Sequence, residues 1–380
     1  MADPSLQLWH SSRSRGYKNM NEALEGDDTL PVVAHESWDS LRKRLLLLDD
    51  NESLMTELRR AVHFASMSEA LQFFQNKVDI TSRNQDPRSS EWLRLLLRCV
   101  RSAQDLPQDC YDDDVLAKSF RPEAGGGFGD VYKGSLRGEI VALKVPEVEQ
   151  TAALRREVLL WRQLSHPNIQ QFRGVCRNLF APRLGIISDW AQHGTLIDAA
   201  VTMPIAFLNE YRPRWVNDIV AGLQYLHDRG IVHGDLSAEN VLIDEGHTYS
   251  ARLSDFGLSR LASSHTRTHG IFGGKTSVYY TSPELLKRLG RSPDFACDVY
   301  SFACTCIALY SGKRPFHGIV TQIDSVILQG LRPAMPVDSA TDNGRQMPHW
   351  LSALVENCLR QAPDERPTCQ TIIRVVRSHI

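Results

Sequence analysis

The stretch Ile231–Leu242, which reads IVHGDLSAENVL, constrains the chain most because it sets polar residues between two apolar segments. It places Asp235 and Asn240 five residues apart on a short loop, between an amphipathic helix and an apolar strand. An Asp that can accept a hydroxyl proton and an Asn that can hold a metal ion suit the transfer of a phosphoryl group to an alcohol. By itself the stretch is also explained by an ordinary turn, since Asp and Asn side chains bond nearby backbone. The neighbouring segments must decide between these interpretations.

Length and charge restrict the class of protein. A chain of 380 residues is long for one compact domain, and a prior of roughly 150 residues per domain suggests two or three domains. The apolar share of 42% and the charged share of 23% are those of a globular protein with a sizeable core. The formal net charge of -2 gives no reason to expect nucleic acid or an anionic membrane as the main partner.

The cysteines argue against a zinc-binding or disulfide-rich protein, and the apolar runs argue against a membrane-spanning one. The eight cysteines are scattered without a Cys-x-x-Cys pair, so we expect buried reduced thiols rather than zinc ligands or a disulfide framework. The longest near-continuous apolar stretch, Phe302–Tyr310, is far too short to span a bilayer. The N-terminus shows no signal-peptide pattern. We therefore expect no membrane insertion and a cytoplasmic location, with the nucleus as the alternative.

The first part of the chain is predicted to carry no chemistry. Residues 1–34 are polar and without periodicity, which predicts a disordered tail. Residues 35–108 show repeated apolar stripes at helical spacing, which predict a helical extension. We expect an interaction or regulatory role for these helices, with a protein as the partner. The acidic segment 109–115 is predicted to be a linker.

Strands and a glycine-rich bend follow the acidic segment. Val131–Leu136 and Ile140–Val145 are rich in branched residues and are joined by Arg137–Glu139, which predicts a β-hairpin. Ahead of them lies the run AGGGFGDV at 124–131. Because no Cβ stands in the way, such a bend lets backbone amides approach phosphate oxygens closely. Glycines also serve plain hairpins, so the run alone is a weak signal.

A lysine and a glutamate form the next candidate pair. Lys144 lies in the second predicted strand, and Glu157 follows thirteen residues later in a helix predicted from about Thr151 to Leu164. Such a pair could hold nucleotide phosphates or be an ordinary surface salt bridge. Further strands are predicted near 170–175 and 184–189, and the chain beyond them is mostly helical.

The order of these parts, together with later motifs, resembles that of the eukaryotic protein kinases. The motifs are the glycine-rich hairpin at 124–131, VALK at 141–144, Glu157, HGDLSAEN at 233–240, DFG at 255–257, SPE at 282–284 and Arg366-Pro367. The resemblance covers about residues 116–380. It implies an α+β, two-lobed protein kinase fold, with a small β-rich N-lobe and a larger helical C-lobe, preceded by the helical extension. It also implies an ATP-dependent kinase that uses Mg²⁺, phosphorylates protein substrates and serves signal transduction.

The resemblance assigns nucleotide-binding roles residue by residue. The positions that would contact the phosphates and the base of ATP are Gly126, Phe128, Gly129, Val131, Ala142 and Leu242. Lys144 is expected to hold the α- and β-phosphates, and Glu157 to hold Lys144 in place. Counting six residues back from Gly194 places Ser188 behind the adenine, where a small side chain leaves room for bulky inhibitors.

The remaining assignments concern the chemical step. The resemblance implies that Asn240 and Asp255 bind the magnesium ions and that Asp235 accepts or orients the substrate hydroxyl. Because the transfer needs little covalent help, catalysis would rest on positioning and electrostatic stabilisation. Structural roles are implied for Glu284, Arg366 and Asp298.

Three positions depart from the family pattern. Ala124 replaces the first glycine of the loop, which costs backbone freedom without removing a ligand. Gly234 replaces the arginine that in many kinases pairs with a phosphorylated activation loop, so we expect activity that does not depend on phosphorylation between Asp255 and Glu284. Ser237 stands where Ser/Thr kinases usually carry Lys. The missing cations make a slow enzyme, or a pseudokinase scaffold, the alternative.

The acceptor is predicted to be Ser or Thr. Ser277 lies where tyrosine kinases usually carry Pro and Ser/Thr kinases carry Thr, and a small hydroxyl favours the second group. The segment 276–284 is most similar to the tyrosine-kinase-like group, whose members mostly phosphorylate Ser and Thr. A tyrosine or dual-specificity kinase is the alternative.

Overall fold

The structure is a computed structural model that describes most of the chain. The described residues are 38–48, 53–54, 56–58, 67–84, 86, 88–117, 119, 121–126, 129–146, 152–245, 249–256, 259–261, 277–287, 293–319, 322–336 and 346–380. The predicted disordered tail and Phe128 of the predicted phosphate cover lie outside them. The chain divides into two compact units, Met1–Asp109 and Cys110–Ile380.

The first unit is helical. Its helices are α1 (Trp38–Leu46), α2 (Met67–Arg83) and α3 (Ser89–Ala103), and residues 53–54 and 56–58 are also helical. Its buried apolar residues recur at helical spacing and include Leu41, Leu45, Leu71, Phe74, Leu95 and Leu96. The helices predicted ahead of the kinase-like region are confirmed. Their interaction role and the cytoplasmic location stay predictions.

The second unit begins with a six-stranded antiparallel sheet. Its strands are β1 (Val115–Ala117), β2 (Ala124–Gly126), β3 (Gly129–Leu136), β4 (Glu139–Val145), β5 (Phe172–Cys176) and β6 (Gly185–Asp189). The order is β1-β3-β4-β6-β5, with β2 pairing β3. Because side chains alternate along a strand, Val141 and Leu143 face one side of the sheet, where they pack with Val115, Leu136 and Ile187 into an apolar core.

The acidic segment predicted as a linker packs onto this sheet. Tyr111 forms a parallel bridge with Val175, and the amide of Asp112 donates to the Val175 carbonyl at 2.9 Å. The guanidinium of Arg177 lies 2.8 Å from the carboxylate of Asp113. Most of the segment therefore differs from the predicted linker. The sequence shows a run of acidic residues, but not the arginine and the strand backbone that bind it in the fold.

A helix and a mainly helical lobe complete the second unit. Helix α4 (Ala152–Arg162) follows the sheet's first four strands. The helices of the larger lobe are α5 (Leu196–Thr202), α6 (Ile205–Asp228), α7 (Pro283–Lys287), α8 (Phe295–Ser311), α9 (Ile323–Leu328), α10 (His349–Cys358) and α11 (Cys369–Arg377). Its short strands pair as β7 (Ile231–Val232) with β10 (Arg260–Leu261) and β8 (Val241–Asp244) with β9 (Ser250–Leu253). This α+β architecture confirms the predicted two-lobed fold.

Helix α8 shows how the local sequence determines where a helix begins and ends. Asp294 caps its start, since its side chain accepts from the Cys297 amide at 3.1 Å. Gly312 ends it with a φ of +66°, the left-handed conformation that glycine adopts readily. Nearly every residue between is buried, and among them is the charged Asp298. A buried carboxylate needs partners, and Asp298 finds them in His227 and in the loop at 233–240.

The cysteines lie in the interior, as the sequence predicted. All eight cysteines are buried thiols outside any disulfide. None of the helices in the described part of the chain is both long and apolar enough to cross a membrane.

Candidate active site

Four predicted pocket residues share one face of the sheet. Val131 lies opposite Lys144 in the register of β3 and β4, and Ala142 lies opposite Ser188 in that of β4 and β6. Directly opposed side chains in an antiparallel pair point to the same face, as do residues two apart along a strand. These four residues therefore form one continuous surface, on the face opposite the apolar core.

The glycine-rich hairpin extends this surface. Ala124 lies opposite Val131, and Gly126 lies opposite Gly129 at the tight end of β2 and β3. Gly129 has a φ of +117°, and a β-carbon there would overlap the carbonyl of Val145. The close approach of the hairpin to the end of β4 therefore requires glycine at this position.

Lys144 joins two carboxylates that lie far apart in the sequence. Its Nζ is 3.3 Å from Oε1 of Glu157 in α4 and 2.9 Å from Oδ1 of Asp255, which follows β9. Burial opposes the charge of Lys144, but Asp255 and Glu157 outweigh it and raise the lysine pKa. Burial also raises the pKa of Glu157, opposed by Lys144 and reinforced by Asp255. With all three groups ionised, the cluster carries one positive and two negative charges.

Asp255 adopts an unusual backbone conformation. Its φ of +60° lies in the left-handed region, which costs a non-glycine residue about 1–2 kcal/mol. The next residue, Phe256, is fully buried, and its ring centroid lies 5.5 Å from that of Trp161 and 5.4 Å from that of His233. Packed rings on one side and Lys144 on the other hold the strained residue. Strain maintained in this way is typical of functional sites.

Asp235 and Asn240 contact each other across the loop. Nδ2 of Asn240 donates to the Asp235 carbonyl at 2.8 Å and lies 3.3 Å from its carboxylate Oδ2. This fixes the orientation of the amide, so Oδ1 is the Asn240 side-chain oxygen that could bind a metal ion. The Asn240 carbonyl accepts the amide of Ser254 at 2.9 Å and its hydroxyl at 3.0 Å. Because Ser254 directly precedes Asp255, the two predicted metal ligands are tied together through backbone.

Asp298 holds the loop from the interior of the larger lobe. It is 1% exposed, and its Oδ2 accepts the amide of His233 and lies 2.9 Å from Nε2 of His227. Its Oδ1 accepts the amide of Gly234 at 2.8 Å. The carboxylate thus fixes two consecutive residues immediately before Asp235, as the resemblance implied.

The ring of His233 is a second support. Its Nε2 lies 3.1 Å from the Ser254 carbonyl, and its Nδ1 accepts the amide of Asp235 at 3.3 Å. Since a carbonyl can only accept a hydrogen bond, the proton is on Nε2. Burial lowers the pKa of His233, which agrees with a neutral ring. The histidine therefore connects the catalytic loop to the backbone before Asp255 without adding charge.

Gly234 stands where many kinases carry an arginine, and a hydrogen-bond network links α4 to the catalytic loop near it. Gly234 has a φ of +81°, a region that favours glycine. Arg156, next to Glu157 in α4, donates to the carbonyl of Ser259 at 2.6 Å. The Ser259 hydroxyl donates to the His233 carbonyl at 3.0 Å. The start of the segment after the DFG motif is thus anchored both to α4 and to the catalytic loop.

The segment that connects the two lobes positions Leu242, the remaining predicted base-binding residue. Thr195 forms an antiparallel bridge with Leu242, and the amide of Ile243 donates to the Gly194 carbonyl at 2.9 Å. Ser188, at the other end of this segment, is 7% exposed. The base-binding positions on the sheet and on β8 are therefore held at the two ends of one short connection.

The donor set fits the predicted cofactors. Asn240 and Asp255 offer an amide oxygen and a carboxylate, the hard oxygen ligands that Mg²⁺ prefers. In the described part of the site, the carboxylates of Asp235, Glu157 and Asp255 outnumber the cation of Lys144, so a divalent cation would balance the charge. The amine of Lys144 lies on the same sheet face as the base-binding positions and suits phosphate oxygens.

Two residues beside the site escaped the sequence analysis. Arg156 and Gln170 make their contacts with backbone 103 and 19 residues away, respectively. Such partners leave no local pattern in a sequence. The predicted strand at 170–175 reads QQFRGV, so Gln170 does not stand out there as a lone polar residue.

The implied structural pair is also formed. Arg366 donates to both oxygens of Glu284, at 2.7 and 2.8 Å, and to the carbonyl of Ala296 at 2.8 Å. Burial opposes the charge of Glu284, but the hydrogen bonds and charge of Arg366 outweigh it and lower the pKa. This pair links α7 to the segment before α11.

Comparisons with known proteins agree with the geometry. The family model of the protein kinase domain matches residues 124–376. A probable serine/threonine-protein kinase of Dictyostelium discoideum is 31% identical over 259 residues, covering 66% of this chain and 26% of the relative. The serine/threonine-protein kinase STY17 of Arabidopsis thaliana is 28% identical over 295 residues, covering 75% and 48% respectively.

A third relative extends this picture. The mitogen-activated protein kinase kinase kinase 2 of Arabidopsis thaliana is 29% identical over 265 residues, covering 66% of this chain and 38% of the relative. The chain spans less than half the length of these three relatives. The likeness to the tyrosine-kinase-like group predicted from the sequence is confirmed.

Proposed function

Because the chain belongs to the protein kinase family, we propose that it transfers the γ-phosphoryl group of ATP to Ser and Thr hydroxyls of protein substrates. One observation carries the proposal: the side chains that the reaction requires are linked into one site from both lobes. They are Lys144, Glu157, Asp235, Asn240 and Asp255. Their burial and mutual contacts support a functional cluster rather than an exposed salt bridge.

Each of these residues has a distinct task in the proposed reaction. Lys144 holds phosphate oxygens and is itself held by Glu157. Asn240 and Asp255 would hold the magnesium ions, which would supply positive charge against the negative charge of the phosphates. Asp235 orients the acceptor hydroxyl and takes up its proton, while the Nδ2 contact from Asn240 fixes the carboxylate. The rate enhancement then comes from positioning and electrostatics.

The same site supports activity without phosphorylation of the activation loop. Gly234 offers no cation to a phosphate, whereas the contacts from Arg156 to Ser259 and from Ser259 to His233 end on backbone carbonyls. A carbonyl partner is present whatever the modification state. These contacts therefore replace, in the proposed mechanism, the phosphate-dependent link that other kinases use.

The acceptor class can be tested directly. The purified chain is incubated with γ-labelled ATP, Mg²⁺ and a general protein substrate, and the labelled protein is hydrolysed for phosphoamino-acid analysis. We expect phosphoserine and phosphothreonine. Phosphotyrosine as the main product would overturn the acceptor assignment, and no label above background would favour the pseudokinase scaffold.

A separate variant tests whether activity is independent of activation-loop phosphorylation. Ser263, Ser264, Thr266 and Thr268 are changed together to Ala, and turnover is compared with that of the wild-type chain. We expect the variant to retain most of the activity. Loss of turnover in a variant with an unchanged unfolding temperature would refute independence while leaving the proposed transfer reaction intact.

A further inference from the structure

An exposed basic loop follows α8 on the way to α9. Its sequence, GKRPFHG at 312–318, contains no acidic residue. Phe316 is 4% exposed and anchors the loop in the larger lobe. The exposed side chains include all three that can carry positive charge, those of Lys313, Arg314 and His317. None of the roles proposed for the active site accounts for this concentration of basic residues.

Arg314 has a defined position within the basic loop. Its guanidinium carbon lies 4.3 Å from the ring centroid of Tyr279, which is 7% exposed. The ring attracts the cation and so holds the side chain in place. Because Arg314 itself is exposed, its guanidinium can still donate to an anion from solvent, and its paired N–H groups match a carboxylate.

Tyr279 belongs to a segment beside the catalytic loop. Ser277–Tyr280 is a short 3-10 helix, and both α8 and α9 pack against it. Burial raises the pKa of Tyr280 well above its ordinary value, and the nearby charge of Glu239 raises it further. Glu239 is part of the catalytic loop at 233–240. The basic loop is therefore linked through one short helix to the loop that would receive the acceptor hydroxyl.

We propose that the basic loop selects protein substrates by binding an acidic side chain, Asp or Glu, close to the acceptor hydroxyl, an inference that rests on the proposed kinase function. Arg314 binds the carboxylate, and Lys313 adds to the positive potential around it. An extended peptide rises about 3.3 Å per residue, so one short substrate segment can reach both Asp235 and Arg314. An exposed ion pair is weak, and its effect falls on the choice among substrates.

A peptide library tests this proposal. Each peptide carries one Ser or Thr acceptor among neutral residues, and one flanking position at a time holds Glu, Gln or Lys. Label transferred from γ-labelled ATP gives, for each protein separately, the preference for Glu over Gln at every position. The wild-type chain is compared with Arg314→Gln and Arg314→Glu. Arg214→Gln is the matched control, since Arg214 is an exposed arginine of α6 that lies over the ring of Tyr211 at 5.4 Å.

We expect the wild-type and Arg214→Gln proteins to favour Glu over Gln by about threefold to fivefold at one or more flanking positions, the range of one exposed ion pair. Arg314→Gln should lose this preference, and Arg314→Glu should favour Lys over Gln at the same position. Absence of the preference in the wild-type chain, or its persistence in the folded Arg314→Glu protein, would overturn the proposal. Unfolding temperatures check folding, and Lys313→Glu is used with the same criterion should the Arg314 variants fail to fold.

Failure of this inference differs from failure of the proposed function. If the wild-type chain labels the peptides but the preference for Glu does not depend on Arg314, the transfer reaction stands and the basic loop has no part in substrate selection. If the folded wild-type chain labels none of the peptides, the proposed function falls, and this inference falls with it.

Discussion

Two clusters of buried charge in the kinase unit are built in opposite ways. Around Lys144, one amine serves two carboxylates, and the surroundings raise the pKa of Glu157. Around Arg366, one guanidinium binds both oxygens of a single carboxylate, and the pKa of Glu284 is lowered. The first cluster has an excess of negative charge, whereas the second is balanced.

The difference separates a site that awaits a ligand from a link that is complete. A buried, balanced and bidentate pair has its hydrogen bonds satisfied within the chain, so its loss should appear in stability. An unbalanced cluster is costly to bury unless a cation completes it, and unpaired or strained groups of this kind are typical of catalytic sites. We therefore expect the Lys144 cluster to govern rate and the Arg366 cluster to govern folding.

Within these two clusters, changing Lys144 to Met should have the largest effect on turnover. The substitution removes the cation proposed to hold phosphates, so we expect turnover to fall by about 10³-fold. Stability should change less, because Glu157, whose pKa is already raised, can take up a proton. Steady-state kinetics and urea unfolding measure the two effects. Lys77→Met is the control, since Lys77 lies over the ring of Phe73 at 5.6 Å in α2 and has no role in the proposed site.

Changing Arg366 to Leu should affect stability more than turnover. The substitution leaves Glu284 buried without its cation, which should lower the free energy of unfolding by about 3–5 kcal/mol. Adding Glu284→Leu should recover much of this loss, because no uncompensated charge then remains. Urea unfolding of the single and double variants checks both statements. A loss of less than about 1 kcal/mol in the single variant would mean that the pair behaves like an exposed one.

The pH dependence of stability should distinguish the two glutamates. The pKa of Glu157 is raised, so its contribution favours the folded state below its unfolded value of about 4.3 and is lost as the pH rises through the folded pKa. The pKa of Glu284 is lowered, so its contribution is present above about 4.3 and is lost as the pH falls through the folded pKa. Denaturant unfolding of Glu157→Gln and Glu284→Gln across this range should show opposite trends relative to wild type. Parallel trends would contradict the comparison.

The smallest effect is expected at Arg156. Arg156→Gln removes a guanidinium bond to the Ser259 carbonyl, which should lower turnover by roughly threefold to tenfold, the range of one hydrogen bond. Arg156→Lys should recover part of the loss, since a cation can still reach the carbonyl. Kinetics at saturating ATP measure the effect, and unchanged turnover would show that this anchor does not position the site.

The parts that could be predicted from the sequence are those defined by order along the chain. Asp235, Asn240 and Asp255 stand in motifs with fixed spacing. Lys144 and Glu157 follow from the predicted strand and the predicted helix in which they lie. Their contact distances and the pKa directions needed the fold, because these depend on which charges burial brings together.

Features made by distant partners could not be predicted. Arg156 contacts a carbonyl 103 residues away, and the amide of Gln170 has its partner on another strand. The acidic run before β1 has the composition of a solvated linker. In the structure, however, Asp113 forms a salt bridge with Arg177. In each case the sequence shows the polar group but not the neighbour that gives it a role.

The rate of phosphoryl transfer with and without Asp235 tests the central claim most directly. Label transferred from γ-labelled ATP to protein is measured for the wild-type chain, for Asp235→Ala and for the control Asp244→Ala, whose carboxylate pairs with Arg252 at the end of β8. We predict transfer by the wild-type and control proteins and none above background by Asp235→Ala, with all three folded. Equal transfer by Asp235→Ala, or none by the wild-type chain, would contradict the account.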